Sequence, residues 1–263
     1  MLTAPLTALA DDARFPVVGP PTPDEVAPVD FLVGPPAPDD APFEALGLSW
    51  LDAAELDFVV PGIAQTGDVT NCGPTAAAMI VAAFRGVGDE GALLGLRDEI
   101  GRWSWDEFPL RRVSLPGYDA GMTTPGMLRA ALDKFAAPAA FEPFEHPWIP
   151  SEAWSLLALT RYLEEGRPVL ALVQASTLWN ARTPSLHWIV LRGLDGGDVI
   201  YNDPADGTRS TVPLPRFWAA WRLNDLYRHL PMVSAFAGLV PTTSLAERSY
   251  AMDAPTAGAV LAK

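Results

Sequence analysis

The spacing of apolar and polar positions predicts helices in the first part of the folded region. Pro74 suits the first turn of a helix, and Thr124 directly before a proline is typical of a helix N-cap. Gly166 is typical of a helix end. The predicted helices cover residues 75–84, 125–135 and 151–165.

Further along, the pattern changes to short runs rich in Val, Ile and Leu, separated by turn residues. Helices followed by an antiparallel sheet, without regular βαβ alternation, indicate an α+β domain. Between the first two helices, residues 86–122 show weak periodicity, so we expect loops and short elements there. The predicted strands cover residues 169–174, 187–192, 199–202 and 208–212. A short helix over 215–222 is predicted to use Phe217, Trp218 and Trp221 as its apolar face.

The N-terminal region differs from the rest in charge and proline content. Residues 1–60 hold eleven acidic residues against Arg14 alone, and Val18-Gly-Pro-Pro-Thr-Pro-Asp-Glu returns as Val33-Gly-Pro-Pro-Ala-Pro-Asp-Asp. Proline fixes φ and removes hydrogen-bond donors, which disfavours helices and sheets. We expect an extended acidic arm over 1–58, a folded domain over 59–240 and a loose tail over 241–263. The arm is interpreted as a tether, as a docking segment for a protein partner, or as a cover for the active site.

Overall charge and apolar run lengths exclude some partners. The formal charge of −14 argues against nucleic acid or an anionic membrane surface as the main partner. The apolar runs are far shorter than the ~20 residues of a membrane span, and the N-terminus lacks the basic and apolar regions of a signal peptide. We expect a soluble protein without a membrane span, located in the cytoplasm or in a larger assembly.

Cys72 is the only cysteine, which excludes an intramolecular disulfide and a multi-cysteine metal site. It stands at a predicted helix start after a polar loop, where unpaired amides lower the pKa of a thiol. Its backbone N–H and the side-chain amide of Gln65, seven residues earlier, can together stabilise an oxyanion. The alternative for Cys72 is a buried structural thiol.

His187 and Asp203 are the candidate acid–base partners of Cys72. His187 begins a predicted strand and can accept the thiol proton and return it to a leaving amine. Asp203 lies across a predicted hairpin, where its carboxylate can orient the imidazole, and Pro204 favours an extended conformation for it. Asp203 can also cap its own turn, and Asn202 is the alternative third member.

The remaining histidines and several tryptophans receive structural interpretations. His146 and His229 are predicted to lie in surface loops. Trp103, Trp105 and Trp188 either line a substrate cleft or, as is more usual for tryptophan, pack in the core.

The ordered set of motifs resembles one family. The motifs are Gln65…Cys72-Gly-Pro-Thr, Gly121-Met-Thr-Thr-Pro125, Gly166-Arg-Pro-Val, His187-Trp-Ile-Val and Tyr201-Asn-Asp-Pro204…Gly207. Over roughly residues 60–222 this order resembles the bacteriocin-processing peptidase-like branch of the papain-like cysteine peptidases. The resemblance implies a papain-like α+β fold, a triad of Cys72, His187 and Asp203, Gln65 in the oxyanion hole, and neither a metal nor an organic cofactor.

The resemblance further implies hydrolysis of a peptide or amide bond through a thioester acyl-enzyme, with a peptide or protein as substrate. Relatives that cut double-glycine leader peptides are commonly fused to a transporter, whereas the apolar runs of this sequence are too short for a membrane span. We therefore expect a free-standing peptidase here. Two alternatives remain: an amidase or acyltransferase acting on cell-wall peptides, and a binding or assembly protein that uses the arm.

Overall fold

A computed structural model of the chain describes residues 55–65, 71–108, 112–115, 118–121, 123–136, 141–146, 156–180, 185–222 and 235–245. Residues 1–54 of the predicted arm lie outside these ranges. So do residues 246–263 of the predicted tail, residues 151–155 at the predicted start of the third helix, and His229.

The helices and strands follow one another in a mixed order along the chain. In the described part the helices are α1 (Cys72–Arg85), α2 (Glu90–Glu107), α3 (Pro125–Phe135), α4 (Leu156–Glu164), α5 (Ala175–Trp179) and α6 (Leu214–Trp221). The strands are β1 (Glu55–Asp57), β2 (Arg112–Leu115), β3 (Tyr118–Gly121), β4 (Phe141–His146), β5 (Val169–Gln174), β6 (Leu186–Asp195), β7 (Asp198–Asn202), β8 (Arg209–Pro213) and β9 (Ala235–Pro241).

One antiparallel sheet organises the fold. Its strand order is β4-β9-β5-β6-β7-β8, with β1 paired to the end of β6, while β2 and β3 form a separate hairpin. In the pairing of β5 with β6, Val173 lies opposite His187. The pairing of β6 with β7 places Val190 opposite Asn202. Residue 203, the next along the chain, therefore lies beside the first residues of β6.

Two apolar clusters cover the two faces of this sheet, because side chains alternate along a strand. Leu170 and Val190 pack with α1, α2 and α3 on the first face. Val169 and Ile189 pack with α4, α5 and α6 on the second face. The result is a three-layer α+β fold, in which the antiparallel sheet lies between two helical layers.

Helix α1 lies almost entirely inside the first layer. Most of its side chains are fully buried against β6, α2 and α3, as expected for a helix that is apolar on all sides. Gly86 ends it in a left-handed conformation, and its N–H approaches the last carbonyls of the helix. The helix is thus fixed along its length, and its first residue is Cys72.

The prediction of loops and short elements over 86–122 is wrong for its first half, where α2 forms. The Asp89 side chain accepts a hydrogen bond from Ala92 N at 2.9 Å and caps the helix start. Leu93, Leu96 and Ile100 form its buried face. These residues are spaced as one stripe of a helix. Three glycines in the same segment make that stripe hard to see in the sequence.

Most other predicted elements are confirmed. Helix α3 and strand β5 have the predicted bounds, and α1, β6, β7, β8 and α6 differ from prediction by up to three residues at an end. In α6, Phe217 and Trp221 are fully buried with ring centroids 5.3 Å apart, and the partly buried Trp218 packs against the same cluster, which confirms the predicted apolar face.

His146 and residues near the end of the predicted arm both lie in strands of the sheet. His146 is not in a loop but is the last residue of β4. Residues 55–57 of the predicted arm form β1 and pair with β6. Asp57 is held there by Arg192 Nε at 2.7 Å and by Arg209 Nε at 3.0 Å. None of the helices in the described ranges is long and apolar enough to cross a membrane.

Candidate active site

Cys72 is partly buried at the first position of α1, at one end of the apolar layer. The backbone N–H groups of Gly73 and Trp188 and the side chain of His187 lie close enough to its sulfur to lower the pKa of the thiol. A helix start supplies such unpaired amides. The sulfur therefore lies among donors that favour its anionic form.

Gly73 allows the segment before α3 to approach Cys72. A Cβ atom on Gly73 would lie 2.6 Å from the Thr123 side chain, closer than atoms can approach. The sheet also holds Thr123 in place, because Trp188 Nε1, from β6, donates to the Thr123 carbonyl oxygen at 2.8 Å. These contacts connect α1, α3 and β6 directly beside Cys72.

His187 and Asp203 form a buried pair. The distance from His187 Nε2 to Asp203 Oδ1 is 2.8 Å, and both side chains are almost fully buried. Because Nε2 faces the carboxylate, the hydrogen bond between His187 and Cys72 uses Nδ1, the other ring nitrogen. The imidazole thus lies between thiol and carboxylate, in the order Cys72, His187, Asp203.

Asp203 also holds the turn that carries it. Its Oδ1 accepts a hydrogen bond from Ala205 N at 2.8 Å, and its backbone N–H donates to Thr208 O at 3.0 Å. The turn-capping contact and the contact with His187 are present together. A rigid turn therefore fixes the carboxylate that faces the ring.

Trp179 is a site residue that the sequence reasoning missed. Its Nε1 donates to Asp203 Oδ2 at 3.1 Å, and its ring centroid lies 4.9 Å from that of His187. It is the last residue of α5, a five-residue helix that was not predicted. The sequence around Trp179 carries no signal of this contact, because it is the tertiary fold that brings α5 to the turn after β7.

The pKa values of the thiol and the imidazole are shifted in opposite directions. Burial raises the pKa of Cys72, but the hydrogen bond and charge of His187, with the two backbone N–H groups, outweigh it and lower the pKa. Burial lowers the pKa of His187, but its hydrogen bonds and electrostatic interactions with Asp203 and Cys72 outweigh it and raise the pKa. Both shifts favour a thiolate–imidazolium pair at neutral pH.

Gln65 reaches the site through its backbone. Its N–H donates to Pro204 O at 2.7 Å, one residue after Asp203. Its side-chain Oε1 is buried and has no hydrogen-bond partner among the described residues. The structure thus brings Gln65 to the turn that carries the carboxylate.

Asn202, the alternative third member, makes other contacts. Its Nδ2 donates to Val60 O at 2.7 Å, and its Oδ1 accepts from Arg192 Nη1 at 3.3 Å. Neighbouring residues at a strand end point to opposite faces, so Asn202 faces away from His187. It anchors the segment that leads toward Gln65.

The three tryptophans differ in environment. Trp188 is buried, and Trp103 packs edge to face against Phe135 with ring centroids 5.6 Å apart. Trp105 instead lines a cavity of about 410 Å³ between α2 and the first turn of α1, together with Thr75. The described part of the chain contains no group of three or more His, Cys, Asp or Glu residues placed to hold a metal ion.

One family model matches this chain, and two solved structures are similar to it. The model of the Peptidase C39 like family matches residues 58–225. Among solved structures, the chain is similar to a protein from Bacillus anthracis described as a C39-like peptidase, at 17% identity and a TM-score of 0.48, with 72% of this chain and 98% of that chain covered. It is also similar to the avirulence protein AvrPphB of Pseudomonas, at 15% identity and a TM-score of 0.30, with 68% and 94% covered. No curated protein matches the chain.

Proposed function

Because this chain belongs to the Peptidase C39-like family, we propose that it is a cysteine peptidase that hydrolyses peptide or amide bonds through Cys72, His187 and Asp203. The observation that carries the proposal is the order of thiol, imidazole and carboxylate, in which the imidazole and carboxylate are buried and His187 Nε2 lies 2.8 Å from Asp203 Oδ1. An imidazole held between a thiol and a carboxylate is the arrangement that activates a cysteine nucleophile.

In the first step, the Cys72 thiolate attacks the carbonyl carbon of the scissile bond and forms a C–S bond. The carbonyl oxygen becomes an oxyanion. When the tetrahedral intermediate collapses, the C–N bond breaks and His187 Nδ1 gives its proton to the leaving amine. The product is a thioester on Cys72.

In the second step, His187 Nδ1 removes a proton from water, and the resulting hydroxide attacks the thioester. Collapse breaks the C–S bond, releases the carboxylic acid and restores the thiolate–imidazolium pair. Asp203 keeps the ring oriented and stabilises its charged form in both steps.

The oxyanion needs hydrogen-bond donors that are already in place. The backbone N–H of Cys72, at the first position of α1, is one candidate donor. The side-chain Nε2 of Gln65 is the second. The buried Oε1 of Gln65 has no hydrogen-bond partner among the described residues, so no bond through that atom prevents the carboxamide from turning its Nε2 toward the oxyanion.

The reactivity of the thiol tests the proposal without a known substrate. We expect iodoacetamide to alkylate Cys72 faster at pH 7 than an ordinary thiol, because His187 lowers the pKa of the Cys72 thiol. In His187→Ala, the thiol pKa should return to at least its ordinary value of about 8.5, so alkylation at pH 7 should fall by roughly 30-fold or more. Rates are measured by mass spectrometry of the intact protein.

The control is His146→Ala, on β4, which is separated from β6 by two strands. Its alkylation rate should match that of the unmodified protein. Slow alkylation that rises with pH as for a free thiol, unchanged by His187→Ala, would contradict the proposed nucleophile.

The same chemistry also serves an amidase or an acyltransferase, which differ from a peptidase in the acyl donor and acceptor. Peptides and cell-wall fragments, each with an added amine acceptor, distinguish these activities. Hydrolysis yields a free carboxylate, whereas transfer yields a new amide to the added amine.

A further inference from the structure

The peptide group that joins Ala64 to Gln65 is held at both of its ends. Its N–H donates to Pro204 O at 2.7 Å. Its carbonyl oxygen accepts a hydrogen bond from Arg97 Nη1 at 2.9 Å. Both polar atoms of this one peptide are therefore used, each by a different part of the molecule.

The two partners come from different parts of the fold. Pro204 follows Asp203 in the turn between β7 and β8, whereas Arg97 projects from α2 in the first helical layer. On the turn side, the contact is reinforced by close packing: a Cβ atom on Gly207 would lie 2.6 Å from Ala64 N. On the α2 side, the guanidinium of Arg97 provides the link.

The Arg97 guanidinium is held in one orientation. Its side chain is only 14% exposed, and its Nε and Nη2 each lie 2.8 Å from Asp98 Oδ1. The Asp98 carboxylate thus orients the guanidinium, and Nη1 points toward Ala64 O. A planar, always charged donor in this setting is more rigid than a lysine would be.

We infer that Arg97 is a positioning residue for Gln65: by fixing the Ala64–Gln65 peptide from the α2 side, it holds the Gln65 carboxamide where the oxyanion forms. The inference rests on the proposed oxyanion role of Gln65. Since Gln65 Oε1 has no described partner, the backbone contacts fix where its side chain begins. A displacement of about 1 Å at such a site can cost roughly 100-fold in rate.

Two probes separate this role from a general effect on the thiol. p-Nitrophenyl acetate acylates a cysteine through an oxyanion: the C–S bond forms, the ester C–O bond breaks, and p-nitrophenolate leaves. Iodoacetamide reacts by displacement of iodide at a saturated carbon, where no oxyanion forms. The ratio of the two rates therefore reports on the oxyanion hole alone.

For Arg97→Gln we expect the burst of p-nitrophenolate to slow by roughly 10- to 100-fold, with the iodoacetamide rate changed by less than about two-fold. Arg97→Lys should recover part of the loss, since it keeps a charged donor. Arg102→Gln is the matched control, because Arg102 is an exposed arginine of the same helix and bonds the Asp98 carbonyl. It should behave as the unmodified protein with both probes.

Gln65→Ala completes a double-mutant cycle. Alone, it should slow acylation by about 100-fold or more, and adding Arg97→Gln to it should cause no further loss. Thermal unfolding of each variant verifies the fold, and Arg97→Met replaces Arg97→Gln if the latter does not fold.

The outcomes are distinct. A normal Arg97→Gln burst, additive losses with Gln65→Ala, or an equal fall with both probes overturns the role of Arg97 while the effect of Gln65→Ala stands. If Gln65→Ala itself leaves acylation unchanged, both the proposed oxyanion role of Gln65 and this inference are wrong.

Discussion

The two sides of Cys72 are held in different ways. On the acid–base side, defined as His187, Asp203 and Trp179, the side chains bond to one another directly, and Asp203 accepts three hydrogen bonds. On the oxyanion side, Gln65 is fixed through the peptide before it, and its buried Oε1 has no described partner.

This difference matches what the proposed function requires of each side. A thiolate and an imidazolium must exist before the substrate arrives, so their stabilising groups have to be complete in the free protein. An oxyanion exists only during the reaction, so a donor for it has to be held in place without being occupied. Direct side-chain bonding suits the first task, and backbone positioning suits the second.

Among the variants that test this comparison, Asp203→Asn should lower the alkylation rate of Cys72 most. It keeps the shape of the side chain but removes its charge. An opposite charge at this distance shifts a pKa by about one to three units. The imidazolium should therefore lose stability, and alkylation of Cys72 by iodoacetamide at pH 7 should fall by roughly 10-fold or more.

Asp206→Asn is the control in the same turn, since Asp206 bonds Thr208 through its side chain. Its alkylation rate should not change. Equal rates for the two variants would show that the carboxylate of Asp203 does not act on His187, and the acid–base side would then depend on ring position alone.

A smaller effect is expected from Trp179→Phe, which keeps an aromatic ring beside His187 but removes the donor to Asp203 Oδ2. Loss of a hydrogen bond to a buried charged group should cost about 1.5–3 kcal/mol of stability. We expect the alkylation rate of Cys72 to fall by about two- to five-fold. Urea unfolding measures the change in the free energy of unfolding.

Trp218→Phe, in the aromatic cluster of the second face, is the matched control. It should lower stability without lowering the alkylation rate. If both variants leave the rate unchanged, Trp179 packs beside the pair without acting on it.

The smallest effect on reactivity is expected from Asn202→Ser, although it is adjacent to Asp203. Losing the bond from Nδ2 to Val60 O should cost about 0.5–1.5 kcal/mol of unfolding free energy, because the Val60 carbonyl keeps a second donor, Arg192 Nη1, at 3.3 Å. The alkylation rate should stay within about two-fold. A large fall in that rate at unchanged stability would instead identify Asn202 as the third member of the triad.

Local signals made part of this fold predictable. Helix α3 has the predicted bounds because a threonine cap and a proline at its first position define its start within the segment itself. Strand β5 is a short apolar run between turn residues. In contrast, α2 was missed because its glycines hide the stripe of Leu93, Leu96 and Ile100. The signal that could have found it is Asp89 as a cap three residues before Ala92.

The site was predictable only where residue chemistry and order along the chain were enough. Cys72, His187 and Asp203 are polar residues in local settings that suggest reactive roles, and the fold places them together. Trp179 and Arg97 were not predictable, because their contacts join residues 24 and 33 positions apart through elements whose packing is set by the tertiary fold.

The close contact at Gly73 has a practical consequence for protein engineering. Since no side chain fits between α1 and Thr123 at that position, a library that varies the residues around the nucleophile should recover only glycine there among folded members. For the proposed peptidase, an inert version that traps bound peptides is therefore better made at Cys72 itself, by Cys72→Ala, than at its neighbour. Such a variant would keep the Trp188 contact with Thr123 and present an intact surface to a bound chain.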